Sequence, residues 1–307
     1  MAEPPEEVVA MAERRAQARA AKDFAEADAI REWIASAGWT VEDTAAGYAL
    51  SPAAPPELPG ADRVDPATVP DVTDEPPSAD VSLQWVCEGW PEDIGRAITS
   101  FRAWAQGRTV QFVVADVTGE RADRWGDDVE VVRLRDGTGW ASARNAGLRR
   151  ARGRLVLALD GSIEATGDVV TPLAAALDDP AVGVCGPFGI VTTDLREFDD
   201  APAAGPCDAV EGYLMAFRRE ILREAGPFDE RFTWYRTADI EWSFRVKDVG
   251  YRCEVVEAPV ARHEHRMWFE TPPAERAKWS KRNFYRFLNR WRDRWDLVLS
   301  GDPNAGH

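Results

Sequence analysis

Histidine and cysteine are scarce in this 307-residue chain, which holds three of the first and four of the second. Cys87, Cys185, Cys207 and Cys253 are scattered, with neither the CxxC spacing of a zinc knuckle nor the density of a disulfide framework. They read as buried or free thiols in a reducing cytosol. Long apolar runs are missing too. The longest, Leu155 to Leu159, has about five residues, against roughly 20 for a membrane-spanning helix. Met1–Ala10 holds Glu3, Glu6 and Glu7 but no base, the opposite of a secretory leader. These absences predict a cytoplasmic protein with no transmembrane segment, leaving open peripheral contact at the inner face of a membrane. Positive charge is also in deficit: 37 Lys+Arg against 53 Asp+Glu give a formal charge of −16. General nucleic-acid binding is excluded on that balance, because it needs a basic face to displace counterions.

What is present is a globular composition, 45% hydrophobic and 10% aromatic, long enough for one large or two ordinary domains. The acidity is uneven, with a net −11 over residues 1–80 and −5 over residues 81–307. Residues 1–50 are rich in the helix formers Ala, Glu and Arg. Phe24, Ala27, Ile30, Ile34 and Ala37 recur at three- and four-residue steps and predict an apolar helix face, with Gly38 placed to cap it. One arm of a helical hairpin is expected, then a small strand or turn around Trp39–Leu50. Residues 51–80, with eight prolines and seven acids against one base, read as an extended, self-repelling linker.

Residues 81–270 alternate short apolar runs with amphipathic stretches. Strands are expected at Val81–Cys87, Val110–Ala115, Val129–Leu134 and Leu155–Leu159, and helices at Ile94–Trp104, Trp140–Ala151 and Val169–Leu177. This is an α/β pattern, a mostly parallel sheet flanked by helices. Ligands of such sheets bind beyond the carboxyl ends of the strands, which singles out Cys87–Trp90, Asp116–Gly119 and Asp160–Glu164. Asp160 ends a buried strand, where it can hold a divalent cation or a sugar hydroxyl; it can equally cap the helix that follows. In Gly139–Gly147, small residues let a helix begin close to a phosphate or to the sheet, and Arg144 can pair with phosphate oxygens.

Those two stretches, Gly139-Trp-Ala-Ser-Ala-Arg-Asn-Ala-Gly147 and Gly153-Arg-Leu-Val-Leu-Ala-Leu-Asp160, resemble the centre of glycosyltransferase family 2, whose fold is GT-A (Rossmann-like). There an ARNxG helix leads into a strand ending in a DxD-type motif. Glu211 to Phe232 resembles the acceptor-side segment with its GxFDExF ending, and Ala238 to Tyr251 the family's EDxDLxxRxxxxGY helix. His263-Glu-His265 falls where the family often places a histidine. The resemblance, from Val81 to His265, implies an inverting enzyme. It would move a sugar from a nucleotide-diphosphate donor to a glycan, a lipid-linked sugar or a small metabolite.

It also implies roles. Asp239 is the base, with Glu211 and Glu241 on the acceptor side. Two residues apart on a helix, Asp239 and Glu241 cannot share a face, so only one should meet the acceptor. Asp116, Arg144, Asn145 and Asp160 contact the donor. Asp160, His263 and His265 hold Mn2+ or Mg2+. Departures are visible: the DxD is Asp160-Gly161-Ser162, Ala238 replaces an acid, and Cys87-Glu-Gly-Trp90 replaces a Thr-Tyr-Asn-like turn. They leave room for an alternative, a non-catalytic sugar-nucleotide sensor or scaffold.

The final piece, residues 271–307, contains a basic stretch with Phe284, Phe287, Leu288, Trp291 and Trp295 on one helical stripe. That stripe either packs on the core or lies on an anionic membrane. Residues 11–50 resemble the C-terminal helical tail of cysteinyl-tRNA synthetases, through Lys22-Asp-Phe-Ala-Glu-Ala-Asp-Ala-Ile-Arg31 and Val41-Glu-Asp-Thr44. No synthetase catalytic signature accompanies it. The implied role is docking, with a protein partner or a very local contact to RNA.

Overall fold

The computed structural model describes residues 4–37, 39–44, 47–52, 63–105, 107–119 and 122–301. The chain divides into two units, Met1–Ala61 and Asp62–His307.

In the first unit, α1 (Glu6–Ala20) and α2 (Phe24–Ser36) form a helical hairpin. An antiparallel pair, β1 (Trp39–Thr44) and β2 (Gly47–Pro52), follows. Its core is Val8, Ala12, Ile30, Ile34, Trp39 and Val41. Arg15 is buried and donates to Asp43 Oδ1 over 2.8 Å. The expected α2 face is trimmed at both ends. Phe24 is 58% exposed and Ala37 lies beyond the helix, exposed. The proposed cap, Gly38, lies outside the described residues.

The second unit is built on β3 (Ala79–Cys87), β4 (Val110–Asp116), β5 (Val129–Arg133), β6 (Gly153–Leu159), β7 (Ile163–Ala165), β8 (Val182–Gly186), β9 (Gly189–Val191), β10 (Asp199–Asp200), β11 (Gly205–Cys207), β12 (Ala209–Val210), β13 (Leu214–Arg218), β14 (Arg252–Val255) and β15 (Val260–Arg262). Its helices are α3 (Pro91–Ala103), α4 (Trp140–Leu148), α5 (Val170–Leu177), α6 (Ile221–Glu224), α7 (Ala238–Asp248), α8 (Arg266–Glu270) and α9 (Pro273–Trp291). Among the described residues the main sheet has eight strands, in the order β11-β14-β8-β13-β6-β3-β4-β5. The pairs β3–β4, β3–β6, β4–β5 and β14–β8 are parallel. The exception at the centre is β13, which runs antiparallel to both β6 and β8. Central strands read as nearly unbroken apolar runs because both faces are covered. On one side lie α3 and α5 with Trp85, Leu83 and Leu157; on the other lie Trp140, Phe217, Phe228 and Trp242. Gly153 is required where β6 meets β3, since a Cβ there would come within 2.3 Å of the Ser82 backbone nitrogen.

Residues 63–80 depart from the expected free linker. Val64 bridges to Leu134, Val69 is buried against Val113, Ala115 and Leu134, and the Val72 N–H donates to Arg149 O over 2.9 Å. Apolar valines between the prolines give this stretch something to bury, which outweighs charge repulsion. The rest of the expected linker, residues 53–62, lies outside the described residues.

The C-terminal stripe packs inward. Phe287, Leu288 and Trp291 of α9 are buried with Phe244 and Leu195, and Phe244 meets Phe287 edge-on at 5.0 Å. No helix among the described residues is long and apolar enough to cross a membrane.

Candidate active site

The strand ends β3, β6 and β13 open onto two joined spaces. The larger, about 580 Å³, is lined by Asp160, Glu211, Tyr213, Tyr235, Asp239 and His265, with one wall from α9. The smaller, about 50 Å³, lies beside Glu88, Trp90 and Ile94. Trp140, Arg144, Asp160, Tyr235 and His265 belong to both and mark the junction.

Asp160 follows β6 directly. Its Oδ1 accepts from the Ser162 N–H at 2.8 Å and from the Ser162 hydroxyl at 2.5 Å. Its Oδ2 lies 3.1 Å from His265 Nε2. Burial alone would raise this carboxyl, but His265 and Ser162 outweigh it and hold it below the usual range. The His265 ring stands edge-on to Tyr235 at 4.5 Å, and its buried Nδ1 has no partner. His263 parts from it, pairing instead with Glu164 over 2.6 Å at the surface. The two histidines therefore do not form a ligand pair. They lie past the end of β15, where strand alternation no longer governs their direction. Among the described residues no three His, Cys, Asp or Glu side chains gather as a ready cation site. Asp160 and His265, side by side at the junction, are the residues that would hold a divalent ion, its other ligands coming from a bound diphosphate and water.

Asp239 enters from the first turn of α7. Its Oδ2 accepts from the Gly212 N–H at 2.7 Å and its Oδ1 from the Ile240 N–H at 2.9 Å. Burial pushes its pKa up despite those bonds. Thr237, just before, holds a left-handed φ of 72°, uncommon for a β-branched residue, and so turns the chain sharply into α7. Glu211 stands nearby; burial, and then the charge of Asp239, push it up to about 7. Glu241 points away. It is 2% exposed and accepts from Arg245 at 2.9 Å and Arg290 at 3.1 Å, joining α7 to α9. The geometry thus makes Glu241 a brace and removes it from the acceptor side.

Three expected donor contacts are already occupied. Asp116 is fully buried; its carboxylate accepts from the Thr118 N–H and hydroxyl and from the Gly119 N–H, closing its own turn. Asn145 lies away from both spaces. It donates to Phe228 O and accepts from the Phe228 N–H, clamping α4 to that loop. Arg144 reaches the junction but donates to Gln84 O, Gln84 Oε1 and Leu159 O, stitching β3 to β6. Burial lowers it to about 10.

Glu88 had no assigned role in the sequence. It follows β3, and burial pushes it up to about 8, with Asp160 adding to the rise and Arg144 opposing it. Its position at a strand's carboxyl end was the available signal. The contribution of α9 to the cleft, through Ser280, Lys281, Phe284 and Tyr285, had none.

A mixed sheet with its ligand cleft at the carboxyl edge, an acid ending the central strand and a second acid from a facing helix is a GT-A fold. The structure is similar to the crystal structure of GalNAc-T7 with UDP, GalNAc and Mn2+, at a TM-score of 0.55 and 17% identity, covering 71% of this chain and 48% of that one. Residues 94–237 match the model of glycosyl transferase family 2. The N-terminal region is similar to cysteine–tRNA ligase of Opitutus terrae, 58% identical over 52 residues, which is 17% of this chain and 11% of the ligase. It is also 60% identical over 40 residues to the ligase of Cutibacterium acnes, 13% of this chain and 8% of that protein. The chain thus spans about a tenth of the ligases it matches and about half of the GalNAc-T7 chain.

Proposed function

We propose that the second unit transfers a sugar from a nucleotide-diphosphate sugar to an acceptor hydroxyl, with inversion at the anomeric carbon. The observation that carries this reading is the placement of Asp160 and Asp239 on the walls of one cavity at the carboxyl edge of the sheet. The nucleoside side of the donor is assigned to the space by Glu88 and Trp90, and its diphosphate to the junction at Asp160 and His265. The acceptor, a glycan, lipid-linked sugar or small metabolite, enters the larger space. The Asp239 carboxylate takes the acceptor's hydroxyl proton while that oxygen bonds the anomeric carbon. The bond to the diphosphate oxygen breaks, and the nucleoside diphosphate leaves with the electron pair. A single displacement inverts the centre. The raised pKa of Asp239 strengthens it as a base. Mn2+ or Mg2+, held by Asp160 and His265, would offset the charge that builds on the diphosphate. Glu211, protonated over part of the neutral range, can hydrogen-bond the acceptor beside the base.

The test is Asp239→Asn. It should abolish transfer while calorimetric binding of the donor, screened among UDP-, dTDP- and GDP-sugars with and without Mn2+ or Mg2+, survives. Turnover retained in the variant overturns the base assignment. A second reading, a non-catalytic sugar-nucleotide sensor, is favoured by Ser162, which stands where the motif's second acid would be and spends its hydroxyl on Asp160. Nucleotide binding without turnover over a broad acceptor panel would support it. For the N-terminal unit the ligase likeness supports a docking role toward a protein or a local RNA segment. Failure to bind any tRNA at low salt would remove the RNA version.

A further inference from the structure

Part of the lining of the larger cavity comes from the loop around β9–β10 and from α9. It carries Ile190, Phe198, Phe284 and Tyr285 together with Arg196 and Lys281. Lys281, Phe284 and Tyr285 sit at three- and four-residue steps, so they share one face of α9. Arg196 and Lys281 are exposed toward solvent, and among the described residues neither side chain makes an ion pair or a hydrogen bond. Elsewhere in this acidic chain cations find acids readily. Arg266 lies within 4 Å of Glu92, Asp93 and Glu270, and Arg290 reaches Glu241. Asp194, on the same loop, feels the charge of Arg196 without an ion pair within 4 Å, and Asp200 of the same lining helps to raise Glu211. Two unpaired cations held among aromatic and aliphatic side chains form a site for a group that is anionic and joined to an apolar body.

We propose that the acceptor is an amphiphilic acid. Its apolar portion lies along Phe198 and Phe284, its phosphate or carboxylate meets Arg196 and Lys281, and its hydroxyl points back toward Asp239. The assignment rests on the glycosyl-transfer reading and narrows it to a substrate class. Neither a neutral glycan nor a free inorganic anion would use both halves of this wall.

The test is binding to the full chain, read by calorimetry below the micelle concentration of each probe. Octyl phosphate and octanoate carry the acid and the chain, octyl glucoside only the chain, and inorganic phosphate only the charge. Octyl phosphate or octanoate should bind at least about tenfold more tightly than octyl glucoside and inorganic phosphate. The stronger of the two names the acid. In Arg196→Ala/Lys281→Ala the advantage should vanish, and in Arg196→Lys/Lys281→Arg it should persist. Equal binding of the acidic and neutral octyl probes, or a preference that survives the double alanine change, overturns the proposal. Nucleotide-sugar binding, measured separately, keeps the two readings apart. Its absence overturns transfer, whereas loss of the acid preference with donor binding intact overturns only the acceptor class.

Discussion

Asp160 Oδ2 lies 3.1 Å from His265 Nε2, and the other ring nitrogen of His265, buried, meets no partner. Residues 105 positions apart are thereby joined where the two spaces of the cleft meet. His265→Ala should therefore weaken Mn2+-supported binding of the preferred nucleotide sugar by about tenfold or more. Calorimetry with and without the metal checks this. Equal affinity in the variant would overturn the assignment of His265.

Glu211 and Glu88 predict a pH dependence of stability. Both carboxyls are raised in the folded state, to about 7 and about 8. The folded protein binds more protons than the unfolded chain across that interval, so their contribution to stability declines as pH rises from the ordinary glutamate value through the folded ones. Urea unfolding between about pH 5 and about pH 8 should show this decline, and Glu88→Gln/Glu211→Gln should flatten it. Asp160 works in the opposite sense. Its lowered pKa contributes stability above the ordinary aspartate value that is lost only as the solution becomes strongly acidic.

Glu241 is expected to matter for stability and not for chemistry. Glu241→Ala strands the half-buried Arg245 and frees Arg290, and it should cost about 3 kcal/mol. Turnover per folded molecule should stay close to that of the parent. A loss of turnover without a loss of stability would return Glu241 to the acceptor side.

Thr237 stores strain next to the proposed base. Thr237→Gly removes the left-handed penalty of a β-branched residue and should raise stability by about 1 kcal/mol. It should also lower turnover, because the backbone that aims Asp239 becomes freer. Denaturant unfolding and initial rates on the same sample separate the two effects.

The strands were legible because they are buried on both faces and spell nearly continuous apolar runs, as in Leu155–Leu159. Asp160 stood out because it directly follows a buried strand, whereas Asp239 was singled out only through the family resemblance of its segment; both line one cavity. Asn145 misled: it belongs to the same motif as Arg144, yet its amide is spent on the Phe228 backbone. The antiparallel β13 could not be read, since direction within a sheet leaves no local trace in an apolar run. Residues 63–80 were masked by composition, their few valines hidden among prolines and acids. The direction of Glu241 depended on Arg290, which is remote in sequence and adjacent only after folding.

The cavity wall bearing Lys281 and Phe284 belongs to α9, anchored by Phe287 and Trp291 to Phe244 of α7 and not to the sheet that carries Asp160. On the proposed glycosyl-transfer reading, drift on the exposed face of that helix would retune which acceptors are admitted while the reacting groups stay in place. Selectivity and chemistry then evolve on separate pieces of chain, as lock and bolt do when they are mounted on different parts of a door.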